Sequence, residues 1–252
     1  MKLQPWLALV KSKQLSGIIT KGGPYSNHVH ATAYACFLNN LSCTIIIKAR
    51  QGMLTPTLND VANWNAKVIY APTDYNDEEK WGRVATDEHK LLVPMGGEGP
   101  VAVNGVTDFL RTLELPFYDH IICPVGTGTT LSGIAKTGKS KKNIIGINPG
   151  IDDDYSPLLK EIKLDGTATT IRIVKFPELE KFGKWPTFLP PLMNEWFSLW
   201  QLPTDIIYTA KMFYGFFKLI GLQSFASDDS VLLVHTGGLQ GNRSLPPGTL
   251  NF

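Results

Sequence analysis

Three segments rich in glycine and hydroxyl groups carry the residues with the most chemical scope. Val125-Gly126-Thr127-Gly128-Thr129-Thr130 follows an apolar run and precedes a second one, so it reads as the turn between a strand and a helix. Such a turn offers main-chain N–H groups, hydroxyls and a helix N-terminus, enough to cradle one phosphate. A tight turn with a helix cap explains the same residues without a ligand. It is not a nucleotide P-loop, because no Gly-Lys pair follows. It is not a dinucleotide fingerprint either, because the G-x-G-x-x-G spacing fails at Leu131.

The second segment, Gly23-Pro24-Tyr25-Ser26-Asn27-His28, is another strand-to-helix turn, in which Ser26 and Asn27 can cap the helix. His28 and His30 stand two apart and point to different sides of a helix, so no two-histidine metal site is expected there. The third segment, His235-Thr236-Gly237-Gly238, follows an apolar run, the position of ligand sites in open parallel sheets. A glycine turn beside a hydrogen-bonded histidine is the alternative.

The elements that must position these turns follow from apolar spacing. Leu3, Trp6, Leu7 and Val10 share a helical face, and Gly17 to Thr20 is a short strand. The spacing then predicts a helix carrying Ala31 to Phe37, a strand at Cys43–Ile47, a helix at Thr57–Asn65 and a strand at Lys67–Tyr70. Next come a helix near Asp77–Val84, a strand at Leu91–Pro94, a helix at Val101–Leu113 and a strand at His120–Cys123. A helix from about Leu131 and a strand at Asn143–Ile147 complete this run. Repeated βα units of this kind imply parallel sheets and an α/β fold. Residues 150–204 read as less regular, with FGKWP at Phe182–Pro186 and a helix at Leu189–Leu202. A helix at Tyr208–Ile220, a buried strand at Ser230–His235 and an irregular surface tail from Arg243 finish the chain.

The 252 residues carry 24 basic and 22 acidic side chains without long runs, which gives nucleic acid no basic footprint and favours small-molecule chemistry. Cys36, Cys43 and Cys123 form no CxxC pair and lie in apolar stretches, so buried thiols and a cytoplasmic location are expected. The N-terminal MKLQPWLALVKSK is broken by Pro5 and has no small-residue cleavage site. No apolar run approaches the roughly 18 residues of a membrane span. Neither a targeting segment nor a membrane anchor is expected.

In this order, five segments together resemble the 1-aminocyclopropane-1-carboxylate deaminase and D-cysteine desulfhydrase family, a tryptophan-synthase-like (fold type II) group of pyridoxal-phosphate enzymes. They are GGPYSNH (Gly22–His28), Gly96-Gly97, PVGTGTTLSG (Pro124–Gly133), YTAKMFYG (Tyr208–Gly215) and HTGGLQGN (His235–Asn242). The resemblance implies a two-domain parallel-sheet fold, with a small domain at residues 13–95 and a larger one from residues 1–12 plus 96–252, the cofactor lying between them. It implies a homodimer that takes a small amino acid and releases ammonia and an oxo acid.

By the same resemblance, Gly126, Thr127, Gly128, Thr129 and Thr130 hold the phosphate of pyridoxal 5'-phosphate. Asn27 bonds its phenolic oxygen, and Ser26 sits near the substrate carboxylate and the reacting centre. Thr236 is similar to the family hydroxyl near the pyridine nitrogen, where a neutral partner weakens the ring as an electron sink and suits eliminations. Tyr208 matches the tyrosine over the cofactor, a candidate acid, base or nucleophile. Cyclopropane deaminases have glutamate after this tyrosine and glutamine after Ser-Asn. Thr209 and His28, as substrate-side residues, fit the desulfhydrase pattern instead, so β-elimination is expected over ring opening.

Two departures stand out. Thr129 replaces a glycine usual in the phosphate loop and would strain it if that residue needs a positive φ. Glu98-Gly99 replaces threonine and asparagine, and Glu98 would repel a nearby phosphate. An ungapped count from Gly22-Gly23 places the family's Schiff-base lysine two residues before Met1, which leads to the expectation that the chain as given is nearly inactive. Lys21 and Lys2 are the nearest in-chain substitutes. The alternative is a non-catalytic protein that binds pyridoxal phosphate or an amino acid.

Overall fold

The run Cys43-Thr44-Ile45-Ile46-Ile47 is apolar at four of its five positions, on both faces of the strand, which a strand tolerates only when both faces of its sheet are covered. The computed structural model, which describes residues 1–113, 116–150, 162, 169–179 and 181–252, shows this in two units, Met1–Gly105 and Val106–Phe252. In the first, β1 (Gly17–Gly22), β2 (Ser42–Ile47), β3 (Lys67–Tyr70) and β4 (Lys90–Val93) lie in the order β3-β2-β1-β4, all parallel. Because alternate side chains point to opposite faces, Ile18, Ile45 and Ile47 meet α1 (Leu3–Ser12), α2 (Asn27–Leu38) and α3 (Pro56–Asn63) through Val10, Val29, Ala33 and Val61. Ile19 and Ile46 turn the other way, onto Tyr75 and onto Trp81 and Ala85 of α4 (Glu78–Asp87).

The second unit repeats the plan. β5 (Tyr118–Pro124), β6 (Ser140–Ile147), β7 (Thr170–Val174) and β8 (Val231–Leu233) form a parallel sheet in the order β7-β6-β5-β8. α5 (Pro100–Thr112) runs across the division between the units, and α6 (Thr129–Ala135) follows β5. Ile122, Ile145 and Ile147 share a core with Met193 and Trp196 of α7 (Leu189–Trp200) and with Met212 and Phe213 of α8 (Thr209–Gly221). Gly215 lets α8 come close to β6: a Cβ there would lie 3.0 Å from Ile147 and 2.9 Å from Phe176.

Three features differ from the sequence reading. Trp6, Leu7 and Val10 pack into the first unit's core, so residues 1–12 group with that unit, and the division falls after Gly105 instead of after 95. β7 lies inside the stretch read as irregular; as an edge strand of mixed exposure it lacks the apolar run that marks its neighbours. β8 is half-buried, not buried, because it is the opposite edge. The tail is the irregular surface segment expected, and it is held in place: Asn194 donates to Thr249 O (3.0 Å) and accepts from Asn251 N–H (2.9 Å), while Leu245 is buried.

Carboxylates stitch the N-terminal ends of both sheets. Glu88 accepts from Lys67 (2.7 Å), Lys90 (2.7 Å) and the Thr44 hydroxyl (3.0 Å), tying β2, β3 and β4. Asp229 pairs with Lys142 and with His120 (2.9 Å), and Asp119 accepts from the Ser230 hydroxyl (2.7 Å). The lysines beside Glu88 lower its carboxyl from 4.5 to about 2, and Lys142 and His120 hold Asp229 well below the usual carboxylate range. A depressed carboxyl contributes stability that is complete above its unfolded value and lost as pH falls through its folded one. Unfolding free energy should therefore drop as pH falls from 4.5 toward about 2. Glu88→Gln should cost about 1–2 kcal/mol at pH 7 and give a shallower acid slope in urea titrations, discounted for partial exposure.

Candidate functional site

In the second unit, the segments with chemical scope lie at the C-terminal ends of the strands. Val125 N–H donates to Ile147 O (2.9 Å), which fixes the start of the loop after β5. Gly128 then takes a left-handed conformation (φ 82°), and Ser132 closes the first turn of α6 by donating N–H (2.9 Å) and hydroxyl (3.1 Å) to Gly128 O. The amides of Thr129, Thr130 and Leu131 start the helix, where no intrahelical acceptor exists for them. The Thr127 and Thr129 hydroxyls stand 3.0 Å apart. Positive φ therefore falls on Gly128, while Thr129 is helical and lacks the strain that its side chain would suffer in a left-handed residue.

Tyr208 stands beside this loop. A Cβ on Gly126 would lie 3.3 Å from the Tyr208 ring, so glycine at 126 is what lets the phenol approach the loop. The Phe182 ring packs edge-on against the same tyrosine at 5.8 Å. Asp205, an anchor that sequence reading passed over, sets the main chain of Tyr208. Its buried carboxylate accepts N–H bonds from Ile207 (3.1 Å), Tyr208 (3.1 Å) and Thr209 (2.8 Å), and the Thr209 hydroxyl (2.8 Å). Burial pushes the Asp205 carboxyl up, and these bonds oppose the rise. An aspartate just ahead of a helix, followed four residues later by a threonine, is the capping signal that could have found it.

Thr209, expected on the substrate side, is fully buried: its hydroxyl donates to Asp205 and accepts from Asp205 N–H (2.6 Å). Two motif residues near the C-terminus also support this segment. His235 Nε2 faces Pro203 O (3.0 Å), which can only accept, so this nitrogen carries the proton and Nδ1 accepts from Gly237 N–H (3.2 Å). Asn242 donates to Thr204 O (2.9 Å) and accepts from Ile206 N–H (3.0 Å). Thr236 is exposed in the loop after β8, and β8 pairs in parallel with β5, so Thr236 and the 125–130 loop both follow the C-terminal end of this sheet.

In the first unit, Ser26 caps α2, its hydroxyl accepting from Val29 N–H (3.3 Å), and Asn27 is the first helical residue. Gly22 is obligatory here, since a Cβ would sit 2.6 Å from Val29 and 3.0 Å from the Ser26 hydroxyl. The Thr20 hydroxyl gives its hydrogen to Val93 O (2.7 Å), so it accepts from His28 Nε2–H (2.8 Å). His28 Nδ1 faces the Thr32 hydroxyl (3.4 Å), and a Cβ on Gly97 would lie 3.2 Å from the ring. Desolvation, with the charge of Lys2 adding to it, lowers His28 to about 4, so the ring is neutral and engaged on both nitrogens. Lys21 points to the opposite face of β1 from Thr20. It pairs with Glu78 and lies over the Tyr75 ring (5.3 Å). Glu98 is exposed just after the Gly96-Gly97 turn.

Among the described residues, no group of three His, Cys, Asp or Glu side chains could hold a metal, and no helix is long and apolar enough to cross a membrane. A family model described as "Pyridoxal-phosphate dependent enzyme" matches residues 6–180. The chain belongs to this family. It is 25% identical over 261 residues to the "Putative 1-aminocyclopropane-1-carboxylate deaminase" of Thermotoga maritima, covering 94% of this chain and 81% of that protein. It is 26% identical over 182 residues to the serine racemase of Dictyostelium discoideum, covering 66% of this chain and 55% of that protein. A solved structure, an ACC deaminase homologue, superposes with a TM-score of 0.79 at 20% identity over 96% of this chain and 79% of that one. The fold is thus the tryptophan synthase beta-like one of pyridoxal-phosphate enzymes.

The loop fits the cofactor's phosphate: a left-handed glycine, helix-starting amides and two threonine hydroxyls converge beside an aromatic ring. Gly128→Ala puts a Cβ on a left-handed residue at a cost of about 1–2 kcal/mol. It should weaken pyridoxal phosphate binding about tenfold in absorbance titrations, and unchanged affinity would remove the loop from the site. Borohydride added to the pyridoxal-phosphate complex should leave no pyridoxyl group on Lys21 in peptide maps.

Proposed function

We propose that this protein is a pyridoxal-phosphate-dependent lyase for a small amino acid, carrying out β-elimination of the D-cysteine desulfhydrase type in preference to cyclopropane ring opening. The observation that supports the preference is the seat of Thr209. Its hydroxyl lies 2.8 Å from the buried Asp205 carboxylate, so the glutamate that cyclopropane deaminases carry after the tyrosine would set two buried carboxylates against each other. His28, in place of their glutamine, points the same way. With both ring nitrogens engaged, it acts by shaping the Ser26-Asn27 turn against Gly97, and Ser26 and Asn27 remain the candidates for contact with substrate and cofactor.

Pyridoxal phosphate, when bound, supplies the electron sink that makes the substrate's α-hydrogen acidic. In this reading, Gly126–Thr130 orient the phosphate, Asn27 the phenolic oxygen and Thr236 the pyridine nitrogen. The Tyr208 hydroxyl handles the proton at the reacting carbon or at the departing sulfur. The overall change is D-cysteine plus water to pyruvate, sulfide and ammonia. Homodimeric assembly and a cytoplasmic location belong to the same reading.

Because the chain as given is expected to be nearly inactive, it is assayed beside a version extended at its N-terminus by the family's lysine-bearing segment. Each, with pyridoxal phosphate, is given D-cysteine, 1-aminocyclopropane-1-carboxylate and D- and L-serine in parallel. The extended version carries the substrate comparison and the Tyr208 variant. The ratio of pyruvate from D-cysteine to 2-oxobutanoate from the cyclopropane substrate should exceed about ten, a difference of about 1.4 kcal/mol in barrier. A reversed ratio would overturn the preference. Serine racemisation as the main activity would place the chain with its racemase relatives. Firm cofactor binding with no product from any substrate would favour a non-catalytic binding protein. Tyr208→Phe should lower kcat at least a hundredfold while leaving pyridoxal phosphate affinity within about threefold.

A further inference from the structure

Lys211, the third residue of α8, is fully buried, and among the described residues its ammonium donates to three main-chain carbonyls: Pro149 O (2.6 Å), Lys184 O (2.7 Å) and Leu179 O (2.9 Å). An amine that donates three hydrogen bonds must be the protonated form, because a neutral amine has only two N–H bonds to give. A point at which backbone oxygens converge from separate segments is chemically the seat of a monovalent cation, whose hydration shell such carbonyls replace.

The three carbonyls are spread across the chain. Pro149 follows β6, Leu179 ends a short 3-10 turn, and Lys184 lies just past the Phe182-Gly183 pair. Drawing 149 and 184 to one point also brings the backbones of 150 and 182 together, and Gly150 permits this: a Cβ there would lie 2.7 Å from Phe182 N. Phe182 is the residue whose ring packs on Tyr208. Lys181 to Lys184 are otherwise exposed, so little apolar burial holds them down.

We propose that Lys211 is a tethered cation, filling in cis a three-carbonyl monovalent-cation site that pins Leu179 and residues 181–184, and with them Phe182, against Tyr208. The site is defined by stability and not by turnover, so it stands or falls apart from the proposed reaction. Cutting the side chain back in Lys211→Ala leaves the carbonyls and a cavity that small cations can enter.

The test compares wild type and Lys211→Ala in potassium, ammonium, n-propylammonium and tetramethylammonium chlorides at equal ionic strength. Two readouts are followed: Tm, and the rate of tryptic cleavage after Lys181 and Lys184. The variant in tetramethylammonium should melt several degrees lower than wild type and be cut at least tenfold faster at these two bonds. One or more of the three smaller cations should recover at least half of both losses, with wild type indifferent to the salt. Loss without discrimination among the cations, or no loss at all, overturns the proposal. If the variant is obtained only as aggregate, its refolding yield from urea is measured across the same four salts, and a yield independent of the cation overturns it equally.

Discussion

A parallel sheet covered on both faces leaves almost no room for polar chemistry along its strands, and everything functional in this protein follows from that constraint. Ile18, Ile45 and Ile47 look one way and Ile19 and Ile46 the other, each onto helices. Polar side chains are thereby driven to the strand ends, and the two ends take different work. At the N-terminal ends, carboxylates such as Glu88 and Asp229 cross-link neighbouring strands. At the C-terminal ends, the chain turns through glycines into helix N-termini, where unpaired amides favour anions. The first unit does this at Gly22–Asn27 and the second at Gly126–Thr130.

Local chemistry made most of the elements legible. β3 was legible at Lys67–Tyr70 because the apolar run Val68-Ile69-Tyr70 follows Asn65, a helix-stop residue, and the helix cap at Ser26 was readable from residue type alone. Edges were harder. Thr170–Val174 and Val231–Leu233 lie at the two borders of their sheet, where one side lacks a neighbour and selection for continuous apolar character relaxes. The tail is the irregular surface segment that its sequence suggests, but its docking could not be read. Its docking depends on Asn194, more than fifty positions earlier, and no periodicity within the tail reports such a contact.

The site was legible as a set of segments and less so as a set of roles. Five motifs carried the expectation of where a cofactor would sit, and several of their polar residues turn inward. Thr209 bonds Asp205, and His235 and Asn242 brace residues 203–206. His28 gives both nitrogens to the interior. The residues that orient Tyr208, Asp205 above all, lie outside the motifs, because a carboxylate's partners are main-chain amides that have no residue identity to read.

The close approach of Gly126 to Tyr208 also bears on how such a site can change over evolutionary time. With 3.3 Å between the ring and where a Cβ would be, the two positions are one steric unit. A side chain at 126 is therefore accepted only if the ring at 208 gives by a few tenths of an ångström or is replaced by a smaller one. The loop's room thus depends on its neighbour's bulk as well as on any ligand.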